Sequence, residues 1–196
     1  MIDYIKGEII ELTPAFAVLE TGGVGYFIHI ALPTFSYLNE LTSAKLFVYE
    51  AIREDAHLLY GFRHQSERQL FLLLISVSGI GANTARMIMS SYSAEEVQEM
   101  IASSNVQALN AIKGIGTKTA QRIIVDLKDK IVKGNGNSEF PNRMHSPMSE
   151  QREEAVAALV MLGFQQAASQ KTVERIVKEQ PVLKVEQIIK LALKML

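Results

Sequence analysis

The chain has 196 residues, 48% of them hydrophobic and 21% charged, a globular composition that excludes a disordered chain. It holds no cysteine, which excludes disulfides, thiolate catalysis and cysteine-ligated zinc, and no apolar run reaches the 18 residues that suggest a membrane span. The net charge of −1 is unevenly placed: residues 1–63 carry 4 Lys/Arg against 8 Asp/Glu, residues 64–133 carry 8 against 6, and residues 149–196 carry 7 against 6.

The N-terminus, MIDYIKGEII, lacks the basic start, apolar core and small-residue cleavage site of a signal peptide, so a cytoplasmic protein is expected. YIKGEIIEL, AFAVLE, YFIHIA, KLFVYEAI and HLLYGF are short, rich in β-branched and aromatic residues, and bounded by turn signals such as Thr13-Pro14 and Thr21-Gly22-Gly23. They read as five strands, with room for one or two helical turns in PTFSYLNEL (33–41). A small closed barrel of the OB type over residues 1–63 is the expected architecture, with a β-sandwich fragment as the alternative. Residues 64–133 read as helical throughout. Ser93 with Glu96 forms a capping box, and Ala120, Ile123, Ile124, Leu127 and Ile131 form a stripe of 3.6-residue period. Residues 134–148 are linker by composition; a flexible chain of that length spans roughly 20–25 Å. Three helices are expected over 149–196, the first ending at Leu162-Gly163-Phe164, the second at Pro181, the third running to the C-terminus. The fold class is therefore α+β and multidomain.

Inside the helical segment one motif occurs twice. SVSGIGANTARMIM (76–89) and AIKGIGTKTAQRII (111–124) align at an offset of 35, with Gly79, Ile80, Gly81, Thr84, Ala85 and Ile88 matching Gly114, Ile115, Gly116, Thr119, Ala120 and Ile123. A Gly-apolar-Gly hairpin between helices makes an anion site from backbone alone: the first glycine adopts positive φ, and the second leaves room for a phosphate. The free N–H groups of the next helix then point at it. One such hairpin is most often an ordinary turn, but two side by side are the helix-hairpin-helix signature of sequence-independent DNA binding. Gly79, Gly81, Asn83, Arg86, Gly114, Gly116, Lys118, Thr119 and Arg122 are the candidate DNA-binding residues. Asn83 stands where the second copy has Lys118, and Met87 where it has Arg122.

Arg53-Glu54-Asp55-Ala56 lies between the last two strands. Two carboxylates at a hairpin tip are usually a solvated turn; beside DNA-gripping hairpins they would repel phosphates. No catalytic constellation is found. Gly116-Thr117-Lys118-Thr119 lacks the glycine before lysine of a phosphate-binding loop, and His29, His57, His64 and His145 have no ligand spacing. No metal and no cofactor are expected. An enzyme of the helix-hairpin-helix class, a glycosylase or nuclease, would need a catalytic Asp or Lys facing the hairpin. Asp126 and Asp129 follow the second hairpin too closely for that. A plain architectural DNA-binding protein would leave the C-terminal segment without a role.

Taken end to end, the chain resembles the RuvA family. The resemblance rests on Gly22-Gly23-Val24-Gly25-Tyr26, Arg53-Glu54-Asp55-Ala56, Leu58-Leu59-Tyr60-Gly61-Phe62, Gly114-Ile115-Gly116 with Lys118-Thr119-Ala120, and Glu154-Ala155-Val156-Ala157-Ala158-Leu159 leading to Leu162-Gly163-Phe164. It implies a non-catalytic subunit that binds four-way (Holliday) DNA junctions in recombination and repair. It further implies a homotetramer built through the barrels, one or two tetramers per junction, and an acidic pin of Glu54 and Asp55 with Arg53. The C-terminal residues resemble a ubiquitin-associated module, and by the same resemblance this module docks on the hexameric RuvB motor. Leu162 and Phe164 are the candidate contacts, and the RuvC resolvase is a further implied partner. The chain departs from the family pattern at Asn83, where lysine is frequent, and at Asp3 and Tyr4, where basic residues are common.

Overall fold

The computed structural model describes residues 1–134, 147–180 and 183–196, and the chain divides into two compact units, residues 1–138 and 139–196. The first unit begins with five strands: β1 (Tyr4–Leu12), β2 (Phe16–Thr21), β3 (Val24–Ile30), β4 (Ser43–Ile52) and β5 (His57–Phe62). They close into a barrel in the order β1-β2-β3-β5-β4, with β4 returning to β1. Every pairing is antiparallel except β3 with β5, where Ile28, His29 and Ile30 lie opposite Leu59, Tyr60 and Gly61. Two glycines permit the closure. A Cβ on Gly61 would fall 2.6 Å from Ile28 Cγ2, and one on Gly7 would strike the Glu20 carbonyl across β1 and β2. Helix α1 (Leu32–Leu38), in the stretch that left room for it, contributes buried Leu38 to the barrel core of Ile5, Ala17, Leu19, Ile28, Ile30, Leu46 and Val48.

Alternation along β5 joins the barrel to the helices. Leu59 belongs to the barrel core, while Tyr60 and Phe62 belong to a second core formed with the helical segment. Phe71 of α2 (Gln65–Ile75) is fully buried there, its ring centroid 5.5 Å from Tyr49, 5.4 Å from Tyr60 and 4.9 Å from Phe62. Truncating such a ring to alanine costs about 3–5 kcal/mol. This shared core makes barrel and helices one unit.

Beyond α2 come α3 (Ala82–Ser91), α4 (Ala94–Ala102), α5 (Val106–Asn110) and α6 (Thr117–Gly134). The capping box starts α4 as the sequence implies: Ser93 N–H donates to Glu96 Oε2 at 2.7 Å, and Glu96 N–H to Ser93 Oγ at 3.2 Å. The stripe of α6 is buried, from Ala120 through Ile131. No helix among the described residues is long and apolar enough to cross a membrane.

Helix α6 reaches Gly134 and α7 (Pro147–Met161) begins at Pro147, so both ends of the segment read as linker are helical; residues 135–146, with His145, lie outside the described residues. The second unit contains α7, α8 (Gln166–Glu179) and α9 (Val185–Ala192) around Ala155, Leu159, Val173, Ile176, Val177, Ile188 and Ala192. Gly163 ends α7 at φ 98°, with its N–H on the Val160 carbonyl and the Phe164 N–H on that of Leu159, a left-handed cap that favours glycine. Pro181, expected to end α8, lies outside the described residues; α8 stops at Glu179. Helix α9 does not run to the C-terminus. It ends at Ala192, and the Met195 and Leu196 N–H groups turn back onto the Ala192 carbonyl.

Candidate nucleic-acid interface

The two hairpins have the same backbone. In the first, Val77 N–H bonds the Leu74 carbonyl, Ile80 N–H the Val77 carbonyl, and Ala85 N–H the Gly81 carbonyl. In the second, Ile112, Ile115 and Ala120 donate to Leu109, Ile112 and Gly116, each 35 positions on. Ile80 and Ile115 are both buried and pin each turn to the core. Gly79 and Gly114 adopt φ 95° and 89°, a conformation that side chains resist. A Cβ on Gly81 or on Gly116 would meet nothing within 4 Å, so both approaches are open. Gly81 begins α3 with no side-chain cap, leaving the first-turn N–H groups for an external acceptor. Each hairpin thus has the backbone geometry that an anion site would need.

The side chains around the hairpins differ. Lys118 is exposed at the start of α6, and Thr119 is half-buried behind it. Asn83, at the position matching Lys118, accepts a hydrogen bond from Tyr60 Oη at 3.4 Å. Arg86 Nη1 donates to the Ala15 carbonyl at 2.8 Å, on the turn between β1 and β2. Two reciprocal contacts join the hairpins. Arg122 Nη1 donates to the Ser78 carbonyl of the first at 3.4 Å, while Met87 Cε lies 3.4 Å from where a Cβ on Gly114 of the second would stand. Met87 and Arg122 are equivalent under the 35-residue offset, so the duplication has a local near-symmetry. The repeat puts them in register but carries no sign that they cross.

Arg53 N–H bonds the Ala56 carbonyl at 2.8 Å and closes the acidic turn, on which Arg53, Glu54 and Asp55 are exposed. The turn stands directly at the start of β5, the strand that carries Tyr60. Two other titratable groups bear on the barrel. The His29 imidazole is held below its ordinary value of 6.5, first by burial and then by the Arg86 charge. Glu50 is held below the usual carboxylate range, chiefly by the Ile2 N–H at 2.6 Å and also by His57 at 3.2 Å. In the second unit Leu162 is 60% exposed, whereas Phe164 is half-buried against the core.

Residues 1–61 match the family model described as RuvA N terminal domain, residues 71–129 the SAM-like helix-hairpin-helix tandem, and residues 150–196 the RuvA C-terminal domain. A protein of Parabacteroides distasonis is 56% identical over 199 residues, and one of Bacteroides fragilis 54% identical over 205, each match spanning 100% of both chains. A third, from Porphyromonas gingivalis, is 46% identical over 202 residues, again spanning 100% of both. All three bear the name Holliday junction branch migration complex subunit RuvA. The chain belongs to the RuvA family. The three residues expected to depart from the family pattern each have a structural partner. Asp3 pairs with Arg68 at 2.7 Å, Lys45 Nζ sits 4.0 Å above the Tyr4 ring, and Asn83 meets Tyr60.

Proposed function

We propose that this chain binds four-way DNA junctions, holds them open and couples them to a motor as the non-catalytic subunit of a branch migration complex. The observation that carries the reading is the pair of open, positive-φ hairpins with one backbone geometry. Each would accept one phosphate on the N–H groups that open α3 or α6, with Lys118 and Thr119 adding to the second. Binding of this kind reads backbone and shape, which suits a ligand defined by its branching.

In a homotetramer joined through the barrels, four turns carrying Glu54 and Asp55 would meet at the centre, up to eight carboxylates in all. Arg53 beside them would guide a strand past. Their repulsion would fall more heavily on a continuous duplex crossing the centre than on a junction whose strands part there, so selectivity would come from disfavouring the wrong ligand. Because these groups are exposed, the effect would be largest at low salt. One or two tetramers would enclose a junction. The second unit would dock on the hexameric RuvB motor, whose ATPase would supply the work, and RuvC is a further candidate partner. Exposed Leu162 is the better contact candidate, since Phe164 already serves the module's core.

The test is to incubate the pure protein with labelled duplex and with a four-way junction, with and without ATP. Junction preference without cleavage or ATP turnover is expected. Strand cleavage would make it an enzyme of the helix-hairpin-helix class, and equal affinity for both substrates would make it an architectural protein.

A further inference from the structure

We propose that Arg86 is a positioning residue that holds the first hairpin in register with the acidic turn. The inference rests on the junction-binding reading above. Asn83, Arg86 and Ser90 recur at i, i+3 and i+7 along α3 and therefore share one face; the first two meet the barrel and Ser90 meets the start of α1. Asn83 Oδ1 accepts from Tyr60 Oη at 3.4 Å, Arg86 Nη1 donates to the Ala15 carbonyl at 2.8 Å, and Ser90 Oγ accepts from the Leu32 N–H at 3.3 Å. The Arg86 bond is the shortest of the three and carries a charge, so it is the strongest.

Its acceptor is itself fixed. Thr13 Oγ1 accepts from the Ala15 and Phe16 N–H groups, which sets the turn, and the Ala15 carbonyl also accepts the Ile30 N–H at 3.1 Å. Ile30 lies opposite Gly61 on β5, and β5 begins immediately after the acidic turn. A path of strand backbone and hydrogen bonds thus runs from the acidic turn along β5, across to β3, to Ala15 and through Arg86 into the helix whose start is Gly81. Tyr60 to Asn83 is a second route from the same strand. An arginine turned toward a barrel carbonyl, its charge beside His29, sets hairpin position in place of gripping a phosphate.

The experiment uses the full chain in four forms: wild type, Arg86→Met, Glu54→Gln with Asp55→Asn, and all three changes together. Junction and duplex affinities are measured over a range of salt. Arg86→Met should lower junction preference while leaving the slope of log K against log[salt] unchanged, because no phosphate contact is lost. Neutralising the turn should then have a smaller effect in the Arg86→Met background, the combined change departing from the product of the separate ones by about threefold or more. Arg86→Lys, which keeps a donor, should restore part of the preference. A slope reduced by about 0.9 per subunit would make Arg86 a phosphate contact and overturn the proposal. Factors that simply multiply would leave Arg86 a stabilising residue only, and would overturn it as well. If Arg86→Met fails to fold by circular dichroism, Arg86→Leu, which also removes the donor and the charge, takes its place in the same cycle under the same criteria. A wild type without junction preference removes the function and this proposal together; a preferring wild type with multiplying factors removes this proposal alone.

Discussion

On the helix after the first hairpin Asn83 and Arg86 turn toward the barrel and Ser90 toward α1, whereas after the second Lys118 stands exposed beside the open Gly116. The backbones meanwhile agree bond for bond, from the Leu74 and Leu109 carbonyls through Gly81 and Gly116. The repeat therefore keeps its backbone and lets its side chains diverge, one copy's bonded to the scaffold and the other's left exposed. The second unit shows the same division on a smaller scale, with Leu162 exposed and Phe164 packed two residues away.

That last contrast can be broken by single substitutions. Phe164→Ala should destabilise the second unit by about 1–3 kcal/mol, less than a fully buried ring would cost, and Leu162→Ala by much less. Thermal unfolding of the two variants checks this, and stimulation of RuvB separates them further. Leu162→Ala should lose stimulation while folded; full stimulation would remove Leu162 from the docking surface.

A smaller change is expected at Lys118. Lys118→Ala should weaken junction binding similarly across sequences and reduce the magnitude of the log K versus log[salt] slope by about 0.9 per lost contact per subunit. Asn83→Ala, at the equivalent position of the first copy, should leave the slope as it is. Equal slopes for Lys118→Ala and wild type would turn that lysine away from the DNA and erase the difference between the copies.

The smallest effect concerns His29, which lies between the Phe27 and Tyr60 rings on the barrel side of Arg86. Its folded pKa is below 6.5, so the unfolded chain takes up the proton first as pH falls. Its neutral form is accommodated fully above that value, and stability is lost as pH drops through 6.5 and then through the folded pKa. The stability difference between wild type and His29→Gln should therefore shrink on acidification below about pH 6.5, read by urea titration at several pH values. A difference independent of pH would show that the imidazole titrates alike in both states.

Much of this was legible in the chain because it is local. Five strands followed from short β-branched runs, both hairpins from the repeated Gly-Ile-Gly, and the α4 cap from Ser93 and Glu96. The parallel closure of β3 on β5 was not, since nothing in a strand's own sequence names its partner. Arg86 and Ala15 are 71 positions apart, and Asn83 and Tyr60 are 23 apart, so the composition around the hairpin suggested DNA contacts for side chains that have partners in the barrel. The crossing of Met87 and Arg122 lay between these cases: the offset of 35 set them in register, but only packing shows that each reaches the other's hairpin.

The central claim, that backbone and not side-chain charge is what the two copies share, is tested most directly by Gly81→Val and Gly116→Val. Gly81 has φ −88°, a value valine tolerates, and neither site would crowd a Cβ, so the fold should survive each change. The branched side chain would instead occupy the approach of the phosphate. Junction affinity, measured on variants that retain the wild-type circular dichroism spectrum, should fall about tenfold or more in both, as expected for losing hydrogen bonds to a charged group. A loss confined to Gly116→Val, beside Lys118, would show that charge does the binding and that the first hairpin is only a turn.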